Sequence, residues 1–208
     1  MAMLGRYGGD DWFRLGDRDL ATHLERTRML ASGLTLTQVT RHLCARLGVA
    51  VNLLPMSDTP VRTVIDSADG TLAFQDYFVR RRAEPVVKGI RYEGATKAPP
   101  IAALASLLTD PDLAGVFIAP SNPWLSIDPI LAIPSLAAAL RSTTAPVIAI
   151  SPIVGGRALK GPTAKIMGEL GVPVSAGAIA AHYGDLLDGF ILDDADRAEA
   201  DALIAGGL

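Results

Sequence analysis

Hydrophobic positions recur along this chain in two different periods. Between residues 19 and 47 they return every three or four residues, the spacing of one helical face. Leu20 and Leu24 lie four apart, which predicts a helix from Asp19 to Ala31 that Gly33 ends. Asp17 or Asp19 is placed to cap it. Thr35 and Gln38 have capping-box spacing, and Val39, Leu43 and Leu47 follow as an apolar stripe, so a second helix starts at Thr35. Cys44 lies beside that stripe, where a buried thiol is expected.

From residue 49 to 92 the pattern turns to β. Val49 to Leu54, Val61 to Ile65, Thr71 to Val79 and Val86 to Tyr92 are short β-rich runs. Turn residues at Pro55 to Pro60 and Ser67 to Gly70 separate them, and Ala68-Asp69-Gly70 reads as a hairpin turn. After Thr96, apolar strands alternate with helices. Gly115 to Ala119, Pro146 to Ile150, Val172 to Ser175 and Gly189 to Leu192 read as strands. Pro100 to Leu108, Pro129 to Arg141 (broken at Pro134), Thr163 to Leu170 and Ala178 to Tyr183 read as helices. Strands that are apolar throughout indicate a mostly parallel, buried sheet. The expected fold is α/β, a mostly parallel Rossmann-like sheet flanked by helices with a small helical and β-hairpin subdomain. The expected division is 1–95 for the helical and hairpin part and 96–208 for the α/β part.

Composition narrows the function. The chain has 208 residues, half of them hydrophobic, and a net charge of −3, which excludes long-range disorder. It also argues against a nucleic-acid partner held through its phosphates. One cysteine cannot form an internal disulfide. No uncharged run approaches the ~20 residues of a membrane span, and no signal h-region opens the chain, so a cytoplasmic protein is expected.

Ligands of open parallel sheets bind beyond the carboxyl ends of the strands. Two predicted loops sit at such ends. In Ala119 to Pro129, Ser121 and Asn122 offer donors, and Ser126 or Asp128 can cap a following helix whose N-terminus suits an anion. The same residues also fit a plain Asn-Pro turn. In Ser151 to Thr163, the glycines Gly155 and Gly156 and the cations Arg157 and Lys160 precede a helix start at Pro162. Lys160 comes before Gly161, so this is no Walker A loop, and a flexible surface loop is the other reading. A third group, Asp17, Arg18, Asp19 and His23, opens the first helix. Asp19, His23 and Thr27 fall on one stripe, where an acid–imidazole pair could orient or deprotonate a hydroxyl. A capping Asp and a surface His explain the same residues, and the segment alone supplies too few ligands for a metal. Arg80-Arg81-Arg82 reads as a solvated strand end, and His182 as a cap at a helix C-terminus.

Taken together, these segments resemble the 2-phospho-L-lactate transferase family. The resemblance is carried by Leu15 to Leu24 with Arg26-Thr27, by Ala119 to Pro123 with Ser126-Ile127, by Ser151 to Gly156 running into Lys160-Gly161-Pro162, and by His182-Tyr183-Gly184, all in order. It covers nearly the whole chain. It implies a transferase of coenzyme F-420 biosynthesis, with magnesium as cofactor. Such an enzyme moves 2-phospho-L-lactate or phosphoenolpyruvate from a guanosine diphosphate adduct to the deazaflavin Fo and releases GMP. By that resemblance Ser121, Asn122, Ser126, Ser151, Gly155, Gly156, Lys160 and Gly161, with Arg18, bind substrate or nucleotide. Asp17, Asp19 and His23 face the Fo side or the metal, whose ligands are otherwise unassigned. A homodimer with small-molecule substrates, and neither nucleic acid nor membrane, is the expected assembly. The family also carries a glycine-rich phosphate loop and an Asn-Val-Gly-Asp-Asp segment upstream of the Trp12 region, absent from these 208 residues, so the sheet is expected to lack its first strands. The alternatives are a non-catalytic nucleotide or sugar-phosphate binder of the related gluconeogenesis-factor-like family, or an inactive fragment.

Overall fold

A computed structural model describes residues 5–208 of the chain. The first long helix, α1, runs Asp17–Ala31. Gly16 occupies its N-cap with no side-chain hydrogen bond. Neither aspartate caps it; both lie in the first turn, where their charge complements the helix's positive end. Helix α2, Leu36–Leu47, opens on the expected capping box. The Gln38 N–H donates to Thr35 Oγ1 at 3.2 Å and the Thr35 N–H donates to Gln38 Oε1 at 2.9 Å. The two helices pack on each other and bury Met29 and Val39, but the stripes are only half used. Leu24 stays 63% exposed and Leu47 67% exposed, and Cys44 is half-buried rather than a core thiol. Val49 to Leu54 is not a strand but an exposed connection. A strand needs a neighbour for its backbone groups, and among the described residues this segment has none.

Three antiparallel strands follow, β1 Arg62–Ser67, β2 Gly70–Ala73 and β3 Val87–Glu93, in the order β2-β1-β3. Ser67 pairs with Gly70 across the expected hairpin. The Ser67 hydroxyl locks that turn, donating to the Gly70 carbonyl at 2.7 Å. The run expected to be extended through Val79 instead stops at Ala73 and winds into a π-type turn, Asp76–Arg80. Just beyond it lie Arg82 and Ala83, two non-glycine residues in the left-handed region at φ 51° and 56°. The Ala83 N–H donating to the Tyr77 carbonyl at 2.8 Å holds them there.

The second half alternates helix and strand as expected: α3 Ala102–Leu108, β4 Val116–Ile118, a second π-type turn Pro123–Ile127, α4 Asp128–Leu131 and α5 Pro134–Ser142. Then come β5 Val147–Ile150, a short hairpin of β6 Ile153–Val154 and β7 Arg157–Ala158, α6 Thr163–Glu169, α7 Ala176–Tyr183, β8 Gly189–Ile191 and α8 Ala200–Ala205. Val172 to Ser175, expected as a strand, is irregular. β4, β5 and β8 form a parallel sheet in the order β4-β5-β8, the α/β architecture the alternation predicts. One face buries Ile118, Val147 and Ala149; on the other, Phe117 is 65% exposed, so the sheet is covered on one side only by the described residues.

Both sheets share one core. Ile65, Tyr77 and Val87 of the hairpin half pack in the same buried cluster as Ile118, Val147, Ile166 and Met167. Helix α6 also stitches them together: the Val87 N–H donates to Glu169 at 2.9 Å, and Lys165 Nζ donates to the Pro85 carbonyl at 2.9 Å. The change at residue 95 is therefore a change of sheet within a continuous core. No single helix among the described residues is long and apolar enough to cross a membrane. One pair, Pro123–Leu131 with Pro134–Ser142, passes by length and composition but is bent by 86°.

Candidate functional site

The two loops singled out in the sequence meet. They leave β4 and β5 at their carboxyl ends and line one cleft of about 490 Å³. The first loop supplies Pro120, Ser121, Asn122, Leu125 and Ser126, and the second Pro152 and residues 159–163.

Asn122 organises the first loop. Its Oδ1 accepts the Leu125 N–H at 3.0 Å and so caps the π-type turn; neither Ser126 nor Asp128 does. That bond fixes which end of the amide is which. Nδ2 is then a buried donor with no partner among the described residues, on a side chain that lines the cleft. A buried amide donor left unpaired costs about 1–3 kcal/mol, which a ligand oxygen would recover.

Asp128 has another task. Helix α4 is a single turn of four residues, too short to be the anion-binding helix end expected there. The Asp128 carboxylate stands 2.8 Å from Nε2 of His182 on α7, and its second oxygen accepts the Tyr92 hydroxyl at 3.3 Å. Tyr92 also donates to the Trp124 carbonyl at 2.5 Å, and the Trp124 ring lies 4.8 Å from the imidazole. His182 is thus a cross-link between α7 and the cleft loop rather than a cap. Burial, reinforced by the Asp128 charge, holds the Tyr92 and Tyr183 hydroxyls above the usual phenol range.

The second loop divides in two. Ser151 is buried, and its hydroxyl both donates to the Ile153 carbonyl at 2.8 Å and accepts the Ile153 N–H at 3.1 Å. Gly155 and Gly156, at φ 56° and 70°, make the tight turn of the β6–β7 hairpin, a backbone that glycine alone adopts freely. The Gly155 N–H is committed to both oxygens of buried Asp196, at 3.0 Å each. These three residues shape the loop and do not line the cleft. Lys160 and Gly161 do, and Lys160 is the one charged group lining it among the described residues.

Asp17, Arg18, Asp19 and His23 lie exposed on α1 and do not line this cleft. Asp19, His23, Arg26 and Leu30 fall on one face of the helix. Arg26 and Leu30 reach a second cavity, of about 470 Å³, walled by Leu36 and the Pro55 to Arg62 segment. There Asp58 Oδ1 accepts the Thr37 N–H at 2.7 Å. Sequence reasoning missed Phe74 and Phe78 in the first cleft. Only the four-residue spacing of the two phenylalanines hinted at them.

Magnesium takes oxygen ligands, usually one or two carboxylates with substrate phosphates. No residue lining the cleft carries a carboxylate, and among the described residues no group of three or more His, Cys, Asp or Glu could hold a metal. The cleft residues do not fit a protein-held magnesium.

Comparison with known proteins adds the relationship. The family model described as 2-phospho-L-lactate transferase CofD matches residues 1–203. The chain is similar to proteins named phosphoenolpyruvate transferase. That of Kitasatospora aureofaciens is 42% identical over 213 residues, covering 100% of this chain and 66% of the relative. That of Mycobacterium tuberculosis is 40% identical over 215 residues, covering 98% and 64%. The chain thus spans about two thirds of the length of these relatives. Among solved structures, a protein of the upf0052 family from Bacillus halodurans superposes with a TM-score of 0.56 at 17% identity, covering 87% of this chain and 56% of that one. At that identity the likeness is one of fold.

Proposed function

The chain belongs to the 2-phospho-L-lactate transferase CofD family, and we propose that it is a transferase of coenzyme F-420 biosynthesis. Its cleft takes a donor in which a phosphorylated three-carbon acid is joined to GMP, so that the two phosphates form a diphosphate bridge. The relatives' name supports phosphoenolpyruvate as that acid. The acceptor is the ribityl hydroxyl of Fo. Its oxygen bonds to the phosphorus carrying the acid, the bond from that phosphorus to the GMP phosphate oxygen breaks, and GMP departs with the electron pair. A base receives the hydroxyl proton.

The observation that carries this reading is the convergence of Asn122 and Lys160 in one cleft at the ends of β4 and β5. A cation there neutralises diphosphate charge, and a buried, unpaired amide donor aligns an oxygen without reorganising. On the acceptor side, the exposed Asp19–His23 face of α1 is the proposed source of the base. No step here runs through a metal. The cytoplasm is the proposed location and a homodimer the proposed assembly.

The test is incubation of the chain with Fo and the guanosine donor. Release of GMP together with a more anionic deazaflavin, resolved by ion-exchange chromatography, is the expected result. Binding of guanosine diphosphate without any transfer would sink the transferase reading but leave the cleft as a nucleotide site.

A further inference from the structure

We propose that Phe74 and Phe78 form an aromatic platform on which a planar heteroaromatic ring of the ligand stacks. This rests on the transferase reading above and specifies how its cleft recognises a ring. The two phenyl rings lie nearly parallel, with centroids 5.3 Å apart and planes 18° from each other, and both line the cleft. Phe78 nonetheless remains 40% exposed, an apolar ring left open to water beside the donors of Asn122 and Lys160.

The backbone that carries Phe78 points the same way. It lies in the π-type turn Asp76–Arg80, and the second π-type turn, Pro123–Ile127, supplies Leu125 and Ser126 to the same cleft. Such turns are rare and concentrate at functional sites. This one is firmly held. Tyr77 is fully buried beneath it, the Arg81 N–H donates to the Asp76 carbonyl at 2.9 Å, and Arg81 Nε donates to Asp76 Oδ2 at 3.1 Å. The Phe78 ring is therefore presented by a fixed backbone.

An aromatic wall and one cation in one cleft fit a ligand with a planar ring and an anionic group. Two components of the proposed reaction carry such rings, the guanine of the donor and the tricyclic system of Fo. The shared chemistry is a planar heteroaromatic face.

The experiment is calorimetric titration of the full chain with guanosine diphosphate, with Fo and with inorganic pyrophosphate, which has no ring. Phe78→Ala and Phe78→Leu are expected to weaken a ring-bearing ligand about tenfold or more. Phe78→Trp should restore its affinity, with pyrophosphate unchanged. Loss on guanosine diphosphate assigns the platform to the base; loss on Fo assigns it to the deazaflavin. The proposal is overturned if Phe78→Leu binds as well as the parent, if pyrophosphate weakens in step, or if no probe binds. Should guanosine diphosphate bind and ignore every Phe78 variant, the platform falls while the nucleotide cleft survives. Should Fo alone bind, and in a Phe78-dependent way, the platform stands and the nucleotide reading of the cleft falls.

Discussion

His182 and Asp128 lie 54 residues apart in the chain, yet the imidazole Nε2 stands 2.8 Å from the carboxylate Oδ1. With Tyr92 on the other oxygen, this contact ties α7 and β3 to the loop that carries Ser121 and Asn122. Removing one partner of a part-buried polar pair leaves the other without its compensation. His182→Ala should therefore cost about 1–3 kcal/mol of stability, read from urea denaturation. It should also weaken guanosine diphosphate binding, because the loop loses its tether. An unchanged denaturation midpoint would show that the pair holds nothing.

Asn122 has two ends with two jobs, and two substitutions separate them. Asn122→Ala loses both the cap on Leu125 and the free donor. Guanosine diphosphate affinity should fall by about 1–3 kcal/mol. Asn122→Asp keeps an oxygen for the Leu125 N–H but sets a carboxylate where the amide donor stood. Binding of the anionic ligand should fall further, and the thermal midpoint should fall too, since the charged oxygen takes a buried place with no donor. Unaltered affinity in both variants by calorimetry removes Asn122 from the site.

Asp196 is a buried carboxylate whose oxygens both accept the Gly155 N–H. Asp196→Ala should destabilise the chain by about 1 kcal/mol by removing the acceptor of that N–H. The loss should be local, appearing as faster amide exchange in the β6–β7 hairpin. Exchange rates identical to the parent's would mean that Asp196 does not hold the turn.

Tyr77 carries a buried hydroxyl with no partner among the described residues. Burial, then the charge of Glu169, pushes it up to about 12 from 10. The folded state thus binds this proton more tightly than the unfolded state. The stability linked to the neutral phenol is complete below pH 10 and is lost as pH rises from about 10 to 12. Burial shifts Tyr92 and Tyr183 in the same direction and extends that loss. Tyr77→Phe removes an unsatisfied hydroxyl from the core at nearly constant volume, so stability at neutral pH should hold or rise. The alkaline loss, followed by circular dichroism and phenolate absorbance, should become shallower. A large destabilisation at neutral pH would reveal a partner for the hydroxyl.

Sequence by itself determined the features whose causes lie within a few residues. Thr35 and Gln38 make their capping box with each other, Asp69-Gly70 turns its own hairpin, and Pro134 breaks its own helix. The apolar runs at 116–118, 147–150 and 189–191 announced a parallel sheet because strands buried in a sheet need no polar face. The loops at the ends of the first two were legible for the same reason, since such a sheet places its ligands there. Tertiary structure decided everything that depends on a distant partner. Val49 to Leu54 has strand residues but no neighbouring strand, so it stays an exposed connection. Asp128 looked like a cap and became the partner of His182, while Gly155 looked free for a ligand and gave its N–H to Asp196, 41 residues on. Phe74 and Phe78 read as strand residues until the chain wound into a π-type turn and brought them to a cleft built from the other sheet. A side chain's hydrogen-bonding capacity is written in its type. Which group meets it is settled only when the whole core closes.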